Sequence, residues 1–385
     1  MTFPIGRAAT LPELEADPHP LLARLRAVEP VSWLPVLDGW LVTRYDLAVR
    51  VMRDPRTFTV DDPRFSTARV VGPSMLSLDG PEHARHREPF AHAFRPAAVR
   101  GRFTEFVSAE TDRLISAMKP AGRAELRRAY AGPLAVAVVA EALGLADVDA
   151  ATVLSWYAAI VEAVSEVTAG RPVTAAGADA FGQLRDRVSR TISGHGPPSV
   201  LVDAARAHGL RTPEVVSNAA VLMFGGIDTT EGMIANAIWH LLGAAPALAS
   251  VRSDPALLHN AVEESVRMEP AAAVVDRYAT ADVTLGGAPV RRGDLVTVSI
   301  AGANRDPAVF ADPDEFDLHR ENVKLHLAFA KGPHFCLGAH LARTEVTLAV
   351  GRLLDRLPGL RLDPDHPTSP RGLVFRKPPT LHVVW

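Results

Sequence analysis

Residues 329–338 read FAKGPHFCLG and contain Cys336, the single cysteine of a 385-residue chain. A lone cysteine is most often a small buried hydrophobe. Here it follows a Gly332-Pro333 turn and precedes LGAHLARTEVTLAVGRLLDRL, a helical pattern that starts directly after the sulfur. Free backbone N–H groups and the positive dipole end at a helix start favour thiolate, the form that ligates metal or attacks an electrophile. Three chemistries use such a group. A zinc cluster would draw on His334 and His340, but the paired CxxC spacing of structural zinc is missing. A cysteine nucleophile would need a distant histidine, and no nucleophile motif surrounds Cys336. The third is an axial haem ligand, in which thiolate pushes electron density toward iron.

The bulk properties narrow the class. Length alone suggests two or three domains. A hydrophobic content of 48% is ample for a large core. The net charge is −3 and no Lys/Arg run supplies a patch, so no nucleic-acid partner is expected. One cysteine permits no intramolecular disulfide, which fits a reducing cytoplasm. The N-terminal stretch MTFPIGRAATLPELEADPHP has no apolar h-region, so neither signal peptide nor membrane anchor is expected. No run reaches about 18 apolar residues, so no membrane span is expected either.

No repeat, low-complexity tract or Gly/Ser linker divides the chain. PLLARLRAV reads as a short helix, and VSWLPVLDGWLVTRY alternates like a hairpin turning at Asp38-Gly39. From about residue 82 to 269 the pattern is mostly helical. Beyond Pro270, VTLGGAPVRRGDLVTVSI reads as strands joined by glycine turns, and GLVFRKPPTLHVVW also looks extended. The expectation is one α+β unit over residues 1–385, predominantly helical. Its β-rich portions are expected at about 30–60, 270–300 and 360–385.

The longest helix is expected to start with Thr212 as N-cap, Pro213 at the first helical position and Glu214 favouring the dipole. It runs to about Gly243 and is apolar on nearly every face, as a buried helix should be. Yet Gly225, Gly226, Asp228, Thr229 and Thr230 interrupt its centre. Two mid-helix glycines cost roughly 1 kcal/mol each against alanine, and a buried carboxylate costs more unless partnered. Something near Gly225 needs space and polar groups.

Other motifs are weak singly. In EESVRMEP, Glu264 lies three and Glu263 four residues before Arg267, and either pair alone would be a solvated contact worth about 0.3 kcal/mol. His83 and Arg87 share one helical face in GPEHARHREPF, and Arg277 in VVDRYAT would ordinarily be an exposed strand residue. Their order is more telling. HARHR, GGIDTT, EESVR, ANRDPAVFADPDEFDLHR and FAKGPHFCLG occur in sequence across almost the whole chain. In this the chain resembles the cytochrome P450 haem-thiolate monooxygenases of the soluble bacterial type.

The resemblance implies the cytochrome P450 fold: a large helical region with a long central helix and a small β-rich region. It implies haem b, with Cys336 as axial ligand and Phe329 beside the sulfur. Gly332 and Gly338 would let backbone approach the porphyrin. His83, Arg87, Arg277 and His334 match propionate-binding positions. Glu264, Arg267 and Arg320 match a structural triad, which selects Glu264 over Glu263. Asp228 and Thr229 match an acid-alcohol pair that relays protons; by helical spacing, Thr229 can also reach the Gly225 carbonyl and loosen the helix. Phe224, Gly225, Ala273 and Val274, with segments 60–78, 150–195 and 271–275, would line a hydrophobic pocket. The implied reaction is hydroxylation or epoxidation of a hydrophobic small molecule with O₂, in natural-product or secondary metabolism. Electrons would come from a ferredoxin and its reductase, with Lys331, Arg95 and Arg343 meeting an acidic donor. The chain is expected to be a cytoplasmic monomer. The alternatives are desaturation, C–C coupling or peroxide-driven oxidation on the same haem, and a haem-binding sensor without turnover. Three departures stand out: Ala330 and Gly225, where relatives often have Gly and Ala, and Asp276, which is expected to temper the neighbouring Arg277.

Overall fold

The computed structural model describes residues 3–145, 147–194, 199–207 and 209–385. Met1, Thr2 and position 195, the end of the expected pocket segment 150–195, lie outside the described residues.

Alternating apolar residues near the N-terminus form the expected hairpin. Val31–Leu34 and Gly39–Val42 pair antiparallel with Leu34 opposite Gly39, and Asp38 closes the turn at φ 46°. Gly39–Val42 then runs parallel to Leu295–Ser299, which pairs antiparallel with Val274–Ala279, and Phe58–Thr59 completes a five-stranded sheet. Strand alternation divides this sheet's side chains between two cores. Trp40, Val42, Val296 and Val298 pack with Val51 and Phe58, whereas Leu41 packs with Leu14, Leu21 and Leu25 of the N-terminal helices.

The central helix spans Thr212–Gly243 and is buried along most of its length. Its N-cap is Arg211 rather than Thr212: the Glu214 carboxylate accepts the free Arg211 N–H at 2.7 Å, so no hydroxyl is needed there. The helix packs against Gly132–Leu143, Leu257–Met268 and the closing helix Ala339–Arg356. Gly226 explains itself in this packing, because a Cβ there would lie 2.6 Å from Val139 Cγ2.

The helical middle also holds a strand, Arg123–Glu125, which pairs with His382–Val384 beside Arg361–Leu362. Its sequence RAE has no apolar alternation to announce it. Among the described residues one helix, Ala150–Thr168, is long and apolar enough to cross a membrane by length and composition. It packs against Ala175–Ser193, and Trp156, Ile160, Ala163 and Val167 are buried there.

Candidate active site

The cysteine loop is fixed mainly by backbone. The Cys336 N–H donates to the Phe329 carbonyl at 2.8 Å. The Phe329 ring is buried under the Arg343 guanidinium, 4.3 Å from its centroid. Gly332 has φ 75°, and a Cβ there would lie 2.5 Å from the Met52 carbonyl. That glycine is required by packing on the helix Tyr45–Arg53. Gly338 does face open space, with nothing within 4 Å of a Cβ. Ala330 sits at φ 57°, a left-handed geometry that costs a non-glycine residue roughly 1–2 kcal/mol.

The closing helix begins at Ala339, three residues beyond the sulfur instead of directly after it. Burial pushes the Cys336 thiol up, while the Gly338 N–H, Arg87 and Arg343 oppose it. Burial thus outweighs the helix-start effect expected from sequence. Cys336 keeps exposed surface although many protein atoms surround it. Among the described residues no group of three or more His, Cys, Asp or Glu is placed to hold a metal ion, which removes the zinc reading of His334 and His340.

Glu264, Arg267 and Arg320 meet in the interior. Arg267 donates to both Glu264 oxygens at 2.7 and 2.8 Å, and Arg320 Nε donates to Oε1 at 2.9 Å. The remaining guanidinium donors reach the carbonyls of Asn304, Pro313, Glu315, Ala311 and Asp312. Glu263 faces elsewhere and takes two bonds from Arg343 at 2.6 and 2.9 Å, with His326 at 3.1 Å. Burial would raise the Glu263 carboxyl, but His326 and Arg343 hold it down at about 2. Arg343, expected from sequence to meet an acidic donor, is paired with Glu263 while its side chain stays 24% exposed. Lys331 is half-buried and Arg95 is exposed.

A second cluster gathers His83, His334, Arg87, Arg277 and Asp79. The His83 and His334 rings lie 4.3 Å apart, and His334 Nε2 is 2.8 Å from Asp79 Oδ1. The other Asp79 oxygen accepts from Thr59 Oγ1 and the Val60 N–H at 2.6 and 2.9 Å. Against burial, these partners hold Asp79 down at about 2. Buried His83 Nε2 has no hydrogen-bond partner, and burial, His334 and Arg87 hold its imidazole down at about 4. Arg87 donates to the Phe335 carbonyl at 2.6 Å. Arg277 is buried and donates to the Asp276 carbonyl at 2.7 Å, with no carboxylate in salt-bridge range among the described residues. The Asp276 carboxylate accepts from Thr297 Oγ1 at 2.6 Å, and its charge still favours the neighbouring Arg277 guanidinium.

On the central helix, Thr229 Oγ1 donates to the Gly225 carbonyl, as the spacing suggested. The helix nonetheless continues unbroken, so the groove is not a helix opening. It comes from the missing side chain at Gly225, where a Cβ would meet nothing within 4 Å. Asp228 is bound by Lys377, which also reaches Glu231 Oε2 at 2.6 Å. Phe224 is half-buried and meets Phe375 edge to face, 5.5 Å between centroids. Ala273 and Val274 are not placed at the cysteine cleft. Ala273 packs with Leu14 and Leu41, and both residues line a small cavity beside the N-terminal helices. Asp79, Lys377, Glu231 and Phe375 escaped sequence reading, since each lies far along the chain from the group it touches.

This donor set fits a haem. Two arginines and an orphaned buried imidazole, balanced only by Asp79, suit a pair of carboxylates. The Cys336 thiol is a donor for iron, and neither Gly338 nor Gly225 has an atom within 4 Å of where a Cβ would stand. A family model described as cytochrome P450 matches residues 250–384. The chain is 36% identical to the cytochrome P450 monooxygenase PikC of Streptomyces venezuelae, over 96% of this chain and 90% of that one. It is also 36% identical to nocardicin C N-oxygenase of Nocardia uniformis subsp. tsuyamanensis, over 100% and 98%. The solved structure of CalO2 superposes with a TM-score of 0.88 at 30% identity, covering 97% of this chain and 98% of that one. With this much of its length shared and its thiol, triad and cation cluster in place, the chain belongs to the cytochrome P450 monooxygenases.

Proposed function

We propose that this P450 binds haem b through Cys336 and hydroxylates or epoxidises a hydrophobic small molecule of secondary metabolism. The two electrons come from a ferredoxin fed by its reductase. The observation that carries the reading is the Cys336 thiol, which keeps exposed surface and lies in the field of Arg87 and Arg343. Arg87, Arg277 and His83 receive the carboxylates of the haem, and His334 shares its donor between them and Asp79. Bound haem supplies the redox chemistry that activates O₂.

The chain's own groups do the rest. The Gly338 N–H steadies charge on the sulfur. Gly225 leaves room on the central helix, and Thr229, held on the Gly225 carbonyl, presents its hydroxyl oxygen to that room as an acceptor and relay point. Asp228 takes protons from water and passes them toward Thr229. Phe224 and Phe375 form an apolar wall. Lys331 and Arg95 offer positive charge to an acidic donor.

The test joins a spectrum to turnover. Reduced holoprotein should give with carbon monoxide the red-displaced Soret band of thiolate-bound haem. A compound that shifts the ferric spin state should then be oxygenated at the expense of NADPH through ferredoxin partners. Cys336→Ser should load haem poorly; normal loading and full turnover in that variant would overturn the assignment.

A further inference from the structure

The central helix carries two carboxylates three residues apart, Asp228 and Glu231, and one ammonium binds both. Like charges at this spacing repel unless a cation lies between them. Lys377 supplies that cation, and Arg127 completes a quartet of two anions and two cations by donating from Nε to Glu231 Oε1 at 2.7 Å. The four side chains are largely sheltered, with relative exposures of 20, 11, 12 and 22% for Asp228, Glu231, Lys377 and Arg127. Coulombic coupling is stronger there than in open water. The buried Tyr157 hydroxyl also faces Asp228 and is raised by burial and by both carboxylates.

The lysine's position is fixed by its own segment. Residues 371 and 377 exchange backbone hydrogen bonds at 3.0 and 3.2 Å. Arg376 is anchored by Glu269, and its carbonyl accepts from Asn236 Nδ2 of the central helix at 3.0 Å. A Cβ on Gly232 would lie 3.0 Å from Ala271 Cβ and 3.7 Å from Lys377 Cβ, so a glycine lets this segment sit close. Phe375 on Phe224 is a further contact between the same two elements. The ammonium is thus presented to Asp228 by a braced piece of chain.

We propose that Lys377 is the positioning residue of the proton relay. It holds the Asp228 carboxylate in place beside Thr229 and offsets the charge of Glu231. This rests on the relay role proposed for Asp228. In each transfer Asp228 binds one proton from water and releases one toward Thr229, returning to carboxylate. Lys377 neither gains nor loses a proton.

The test uses holoenzyme with surrogate ferredoxin partners and myristic acid as a hydrophobic probe, reading peroxide released per NADPH and its pH dependence. Lys377→Met should keep its haem spectrum, release at least threefold more peroxide per NADPH, and move the acid limb of coupled turnover to higher pH. Lys377→Arg should restore most of the coupling. Glu231→Gln, which leaves Lys377 to Asp228 alone, should move the limb the opposite way, and it serves if Lys377→Met fails to fold. Exposed Lys324→Met is the control. An unmoved pH limb in both Lys377→Met and Glu231→Gln overturns the proposal. If Asp228→Asn itself leaves coupling unchanged, it is the relay reading that fails, whatever Lys377→Met does.

Discussion

Two buried charge clusters in this P450 differ in one respect. Around Glu264, Arg267 and Arg320, every charged group has partners within the protein. Around His83 and Arg277, a buried guanidinium has no carboxylate in salt-bridge range and one imidazole nitrogen has no partner among the described residues. Burying an ion costs several kcal/mol unless it is paired and hydrogen-bonded. The closed cluster meets that requirement internally and so serves folding. The open one leaves its guanidinium without a carboxylate in salt-bridge range, which is what the proposed haem-carboxylate site calls for.

The contrast can be broken from the closed side first. Arg267→Ala leaves the buried Glu264 carboxylate short of two bonds, and should cost about 3–5 kcal/mol in urea unfolding. Loss of less than about 1 kcal/mol would mean that the triad is not a folding element. Arg277→Ala removes a cation that no carboxylate among the described residues pairs within salt-bridge range, so far-UV dichroism should be unchanged. Hemin transfer from the holoprotein to apomyoglobin should instead accelerate about tenfold to a hundredfold, the worth of one or two charge-assisted hydrogen bonds. An unaltered transfer rate would show that the open cluster does not hold the haem.

Acid sharpens the comparison. His240 is buried next to the closed cluster, stacked on Phe316 at 5.2 Å with Nδ1 2.9 Å from Ser265 Oγ, and burial holds it down at about 4. The unfolded chain binds this proton near pH 6.5 and the folded chain only near 4, so stability falls as pH drops across that window. In His240→Gln the slope of unfolding free energy between pH 6.5 and 5 should flatten. The depressed carboxyls of Asp79, Glu263 and Glu269 act below that range. The smallest expected effect is Ala330→Gly, which relieves the left-handed strain at φ 57° beside the thiol loop. It should stabilise by up to about 1 kcal/mol, because glycine's extra unfolded-state entropy offsets part of the gain.

Much of the site was legible because its signals are local. The Cys336 loop, the Thr229-to-Gly225 bond and the Glu264–Arg267 pair all follow from short spacings in a loop or helix. The errors came where distant segments decide. Gly332 meets Met52, and Arg343 meets Phe329 and Glu263, contacts that no short spacing in the sequence announces. Ala273 and Val274 lie in a stretch expected to line the pocket, and both line a small cavity beside the N-terminal helices, where Ala273 packs with Leu14 and Leu41.

The sequence by itself determined the family, the helical middle with its flanking strands, and the candidate ligand, since each is written in residue order and periodicity. Only the tertiary structure decided which charges are closed and which are open. That depends on Asp79 meeting His334 and Lys377 meeting Asp228 across 255 and 149 residues of chain, and on burial, which makes an unmatched charge costly.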